Sequence, residues 1–405
     1  MKKRIVVIGL GDSGLLTAIR LKACYEVIAI SCKPCFVSGQ ELGNRLAQLE
    51  EWKDLNHYNF DRFKNLDHIR IIHGLVKAVD LSEQSVTIQT IGDQNQNQQN
   101  KNIISVKEHY DALLIATGTT NGFWRNATLE THQQIEANMY MQAEKFRKAQ
   151  TIAVVGGGPT AVSAASNLKL VYPTKSVHLF FSRAKILAGY AKRTRKDVQN
   201  LLELQGVELH SNHRAKIDGF DVRAIGTGDI HWQTKSQTQT QTQTTATTTK
   251  ASDIRQPPPF SADAILWAVG VTFPNNECLP EELLDEDGYV EVTPQLHHPK
   301  IRNVFAIGDI CSSDPNRSTA RNAGFVLVAK NMDLYLRGKH KRLASFKAPR
   351  YRWGSILGIQ PKGMRIYSQT GRIFQLKRWF TIKILFPMIV HKFIYKGIRK
   401  PTSDD

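Results

Sequence analysis

The sequence predicts an α/β fold built from two copies of one strand–turn–helix–strand plan, with a basic segment appended at the C-terminus. Three observations carry that expectation. A glycine-rich turn joins an apolar, β-branched run to a helix-like run twice, at residues 9–14 and 156–161. Each copy later reaches a second apolar run that stops at glycine, Gly118 and Gly270. Positive charge gathers at the end: residues 334–403 hold 17 Lys or Arg and no Asp or Glu, which leaves 37 basic and 34 acidic residues before residue 334. The body is therefore nearly neutral, and most of the net charge of +18 belongs to the C-terminal segment.

In the first copy, residues 3–8 read as a strand, Gly9-Leu-Gly11-Asp-Ser-Gly14 as the turn, residues 15–23 as a helix and residues 27–30 as the next strand. In that spacing the first glycine permits the tight turn, the second lets backbone approach a pyrophosphate, and the third lets helix and strand pack closely. The helix N-terminus then holds the diphosphate. Ser31 stands where a carboxylate usually meets the adenine-side ribose, and can bond it without charge. The plan returns with residues 151–155, Gly156-Gly157-Gly158-Pro159-Thr160-Ala161, a helix to residue 170 and a strand over 177–181. Both copies are thus read as Rossmann-like dinucleotide-binding units. The second strand of the second copy ends Phe181-Ser182-Arg183; a hydroxyl and a guanidinium in place of an acid favour the 2′-phosphate of NADPH over NADH. A Gln/Asn tract (94–102) and a Gln/Thr tract (233–250, followed by three prolines) lack apolar residues and are expected as disordered hairpin tips.

Near residue 305 a third apolar strand ends in Gly308-Asp309, and a helix is expected from about residue 319 to 335. With Ala116-Thr117-Gly118 and Trp267-Ala268-Val269-Gly270, these motifs resemble, in order over residues 1 to about 335, the two-dinucleotide flavoproteins of the glutathione reductase-like fold, the pyridine nucleotide-disulfide oxidoreductases. Within them the chain is most similar to type II NADH dehydrogenases and apoptosis-inducing-factor-like quinone reductases. The resemblance implies FAD on Gly9, Gly11, Gly14, Ser31, Ala116, Thr117, Gly118, Gly308 and Asp309, with Asp309 on the ribityl chain. It implies NAD(P)H on Gly156, Gly158, Ala161, Ser182, Arg183 and Gly270. No side-chain acid or base is assigned to catalysis; Arg321 and Asn322, at the start of the last helix, are candidates near the flavin ring. The implied domains are 1–122 with 299–345 for FAD, 123–298 for NAD(P)H, and a basic segment 346–405, in which residues 353–358 resemble the piece that completes the quinone side. One departure stands out: Ser163 replaces a Glu that many members carry.

Five cysteines are too few for a disulfide framework and favour a reducing compartment. No apolar run is long enough to span a bilayer, and the run behind the N-terminal basic cluster is too short for an export signal. The Cys32-Lys-Pro-Cys35 pair sits beside the adenosine end and is expected to lie too far from the flavin ring to exchange electrons with it. No metal site is expected, and His297-His298 read as surface turn residues. Residues 372–400 interleave eight Lys or Arg with Trp379, Phe380, Phe386, Phe393 and Tyr395, a composition suited to an anionic membrane surface. Pro387 should break or kink any helix there. These features lead to an FAD-dependent NAD(P)H oxidoreductase, cytoplasmic and peripheral on a membrane's inner face, passing electrons to a lipid quinone and not binding nucleic acid. The alternatives are a reductase of an acidic electron-transfer protein such as a ferredoxin, or a non-enzymatic nucleotide sensor; oligomeric state is not fixed.

Overall fold

The computed structural model describes residues 2–91, 103–233, 257–314, 319 and 322–400. In chain order the first unit opens with β1 (Arg4–Ile8), α1 (Asp12–Ala18) and β2 (Glu26–Ser31). Then follow β3 (Cys35–Val37), α2 (Leu42–Ala47), α3 (Leu49–Asn56), β4 (His57–Asn59), β5 (Ile69–Asp80), β6 (Ser85–Ile91), β7 (Ile103–His109) and β8 (Ala112–Ile115). A short β9 (Thr119–Thr120) leads out. β1 pairs in parallel with β2 and β8, and β2 with β5, while β5, β6 and β7 form an antiparallel meander. Ile5 and Val7 face one apolar layer and Val6 and Ile8 the other. Burial on both faces is why β1 reads as an unbroken apolar run rather than an alternating one.

The second unit holds α4 (His132–Lys148), β10 (Thr151–Val155), α5 (Pro159–Val171), β11 (Ser176–Phe181), α6 (Lys192–Gln205), β12 (Glu208–Ser211), β13 (Gly226–Ile230) and β14 (Phe260–Trp267). Its sheet runs β12-β11-β10-β14-β13, antiparallel only at β13–β14. A capping box starts α4: Thr131 Oγ1 accepts from the Gln134 N–H while the Gln134 side chain accepts from the Thr131 N–H. Pro159, at the start of α5, needs no N–H there. β15 (Phe273–Pro274) crosses back to pair with β9. The chain then completes the first sheet with β16 (Val304–Ala306) against β8, followed by α7 (Gly324–Leu336). Both polar tracts connect antiparallel strands; their expected disorder concerns residues outside those described, apart from Gln233.

Two expectations need correction. The last helix begins at Gly324 rather than near residue 319: Gly324 N–H bonds Thr319 O, and Ala323 takes a left-handed conformation (φ 60°) that cannot continue a helix backward. His297 and His298 are buried, at 8% and 1% exposure, not on the surface. His298 Nδ1 accepts the Ile301 N–H at 3.0 Å, so the ring closes a buried turn.

The C-terminal segment is docked. β17 (Gly354–Gln360), β18 (Gly363–Tyr367) and β19 (Ile373–Leu376) form an antiparallel sheet on the second unit, where Arg365 and the Tyr367 hydroxyl both bond Asp197. A short α8 (Arg378–Phe380) then widens into a π-helical stretch, Thr381–Ile394, that contains Pro387. Proline lacks the donor that a regular α-ladder needs, so of the break or kink expected at Pro387 there is no break, and the helix continues through it with altered hydrogen-bond spacing. Beyond it Tyr395 packs edge-on against Phe36, Tyr58 and Phe63 of the first unit. Arg399 forms an ion pair with Asp67.

Candidate functional site: paired glycine loops and a cationic pocket

The glycines at the ends of β1 and β10 do the same three jobs. Gly9 has φ 95°, and a Cβ there would stand 2.5 Å from Ala116 O; Gly156 has φ 145° and its Cβ would collide with Ala268 O. A Cβ on Gly14 would collide with Gly9 O, and the corresponding Ala161 is fully buried. Gly11 and Gly158 differ from these, because a Cβ on either would meet nothing within 4 Å. The first and third positions are closed by packing, and the middle one presents bare backbone at a helix start, where N–H groups attract a diphosphate.

Around the first loop lie Ala116, Thr117, Gly118, Gly308 and Asp309. Gly308, with φ 87°, approaches Ser13 of α1 so closely that a Cβ would stand 2.7 Å from its Oγ. Gly118 has φ 67° with open space beside it, and Asn275 anchors the turn by bonding Thr117 O and Gly118 O. Among the described residues, Thr117 Oγ1 and Asn121 Oδ1 are buried without a partner. Open backbone and orphaned polar atoms along one cradle fit a bound dinucleotide with many acceptors and donors.

Sequence reasoning missed two features here. Arg125, eight residues beyond Thr117 in a connecting stretch, pairs with Asp309 at 2.6 Å. Asp12 opens α1, where a diphosphate is expected, and its carboxylate is turned aside: it accepts from the Ser38 hydroxyl at 2.7 Å and the Gly39 N–H at 2.9 Å. Asp12 was visible inside the glycine motif; Arg125 had no periodic or motif signal. Ser31 is buried and spends its hydroxyl locally, donating to Lys33 O and accepting from Lys33 N–H. Lys33 in turn pairs with Glu130 and bonds Asn126. Arg321 lies outside the described residues. Asn322 accepts from Trp353 Nε1 at 2.7 Å, which joins the start of α7 to the C-terminal segment.

At the second loop a cavity of about 300 Å³ is lined by Gly157, Gly158, Ser182, Arg183, Lys185 and Arg352. Ser182 and Arg183 follow β11 as the sequence indicates. Lys185 and Arg352 were not anticipated; Arg352 comes from the C-terminal segment, whose N–H bonds Gly189 O at 3.0 Å. Gly270 (φ 83°) sits three residues past β14, with open space where a Cβ would project.

Ser163 is buried on α5 against α2. A Cβ on Gly43 would collide with Ser163 O and Oγ, so the two helices touch through small groups. Asn167, one turn on, donates to Ser163 O and to Leu357 O of β17. The C-terminal sheet is therefore tied to the helix that carries this departure. Cys35 is buried with its Sγ 3.1 Å from His57 Nε2, and burial pushes its thiol up to about 12. Burial raises Cys32 as well, so neither is a ready thiolate.

This arrangement, two dinucleotide loops in two Rossmann-like units with a Gly-Asp strand returning to the first, defines a two-nucleotide oxidoreductase. The chain belongs to the pyridine nucleotide-disulphide oxidoreductase family, whose model matches residues 3–325. Members are NAD(P)H-dependent flavin oxidoreductases. It is 26% identical to apoptosis-inducing factor homolog B of Dictyostelium discoideum over 374 residues, 88% of this chain and 87% of that protein. It is 22% identical to ferroptosis suppressor protein 1 of Xenopus laevis, covering 84% and 86%. Its fold is similar to the sulfide:quinone oxidoreductase of Aquifex aeolicus, with a TM-score of 0.66 and 16% identity over 99% of this chain and 94% of that one.

Proposed function

We propose that this chain is an FAD-dependent NAD(P)H oxidoreductase that prefers NADPH and delivers two electrons to a lipid quinone at an anionic membrane surface. FAD, when bound, would supply the two-electron redox chemistry between the nicotinamide nucleotide and the acceptor. Gly9, Gly11 and Gly14 cradle its diphosphate, Gly308 and Asp309 take its ribityl side, and Ala116, Thr117 and Gly118 close the cradle. Arg125 holds the Asp309 carboxylate in place. Gly156, Gly158, Ala161 and Gly270 seat the nicotinamide nucleotide.

The observation that carries the reading is the matched pair of open middle glycines, Gly11 and Gly158, each at a helix start beside a closed turn. NADPH is favoured by the cavity's three cations, Arg183, Lys185 and Arg352, with no carboxylate in its lining. A quinone is favoured by the company the chain keeps: the similar bacterial enzyme is by name a sulfide:quinone oxidoreductase. Membrane contact is favoured by Trp379, Met388, Ile389 and Phe393, each between 45% and 60% exposed on a segment rich in lysine. Among the described residues no helix is long and apolar enough to cross a membrane.

An absorbance spectrum of the purified protein, then anaerobic titration with NADH and NADPH separately, tests the core of this reading. Flavin bands bleached at lower NADPH than NADH support it; a colourless protein that cannot be reconstituted overturns it. Turnover with a short-chain quinone on anionic vesicles tests the acceptor.

A further inference from the structure

In the second sheet, β11 and the edge strand β12 bring three potential metal ligands together. Register places His178 opposite Glu208 and Phe180 opposite His210. His178 Nδ1 lies 3.1 Å from His210 Nε2 and 3.5 Å from a Glu208 carboxylate oxygen, and the three ligand atoms all fall within 4.8 Å of one another. Ligand atoms sharing one tetrahedral zinc at about 2.1 Å stand about 3.4 Å apart. The rings are held from behind: His178 against Phe260 (4.5 Å between centroids) and His210 against Phe180 (4.3 Å). Glu208 is exposed, so the fourth position opens to solvent.

We infer that His178, Glu208 and His210 bind one divalent transition-metal ion of the zinc class, with water completing the shell. Two imidazoles and a carboxylate suit Zn²⁺, Ni²⁺ or Cu²⁺ over Mg²⁺ or Ca²⁺. The site would pin the edge strand to its neighbour. The residues just beyond β12 then carry the effect: Asn212 N–H bonds Arg183 O and His213 N–H bonds Phe181 O. The backbone that presents Ser182 and Arg183 thus rests on the strand the metal would fix.

The 3.1 Å spacing also suits a hydrogen bond between two neutral rings, and titration separates the two. The flavoprotein as purified is stripped with chelator and titrated calorimetrically with Zn²⁺. One equivalent should bind, with affinity weakened about tenfold or more in His210→Phe, which keeps the ring packing, and also weakened in Glu208→Gln. Zn²⁺ should raise the melting temperature of the parent chain and leave His210→Phe unmoved. Equal Zn²⁺ affinity in parent and His210→Phe, or no saturable heat in the parent, overturns the inference.

Discussion

At the scale of single residues, the site depends on positions where a side chain has no room. Gly9→Ala would force a Cβ toward Ala116 O in a conformation that costs non-glycine residues roughly 1–3 kcal/mol. The expected product is folded protein with flavin absorbance reduced by about tenfold or more per mole, read at 450 nm. Arg352→Ala removes a cation from the nucleotide cavity without touching the first loop. The KM for NADPH should rise by about tenfold while kcat and the KM for NADH stay near parent values; equal effects on both nucleotides would argue for a structural role. His57 carries a pH signature. Burial drops its proton affinity to about 4, below the unfolded value near 6.5. The unfolded chain therefore binds more protons between these values, and stability present above pH 6.5 is lost as pH falls toward 4. Melting temperature should decline from pH 7 to 5, with a shallower decline in His57→Gln.

At the scale of elements, the sequence announced what had a short-range cause. Both glycine turns, the strands on either side of them and the Gly308-Asp309 strand end were legible, because an apolar run, a glycine spacing and a helix start lie within a dozen residues. What sequence could not show was assembled across the fold. Arg125 meets Asp309 across 184 residues, and Arg352 reaches a cavity built near residue 183. His178 and His210 carry no ligand spacing because they sit on different strands. The left-handed Ala323 that delays the last helix has no side-chain signal at all. The tail was read by composition as a membrane segment, yet one of its faces is spent on the protein. Tyr395→Ala should lower stability by about 2–4 kcal/mol, measured by denaturant unfolding, because its ring fills an aromatic cluster with Phe36, Tyr58 and Phe63.

At the scale of the whole molecule, that docking changes how membrane contact must be tested. Deleting residues 372–405 would uncover the aromatic cluster as well as remove the basic surface. Replacing Trp379, Met388, Ile389 and Phe393 with serine leaves the docked face intact, since all four are exposed. Co-sedimentation with anionic vesicles should fall several-fold in this variant, and salt should weaken parent binding as screening shortens the reach of the lysines. Reduction of a soluble dye should be unchanged. Retained vesicle binding would remove the membrane from the proposal.

The return of β16 to the edge of the first sheet also has a consequence for biosynthesis. The middle of the chain, from α4 to β14, can finish its own sheet as soon as it clears the ribosome. The N-terminal portion must wait for Val304–Ala306 and then for Tyr395, so the earliest-made part matures last. Stalled nascent chains ending near residue 300 should accordingly resist protease in their middle third while their first hundred residues remain open to cleavage.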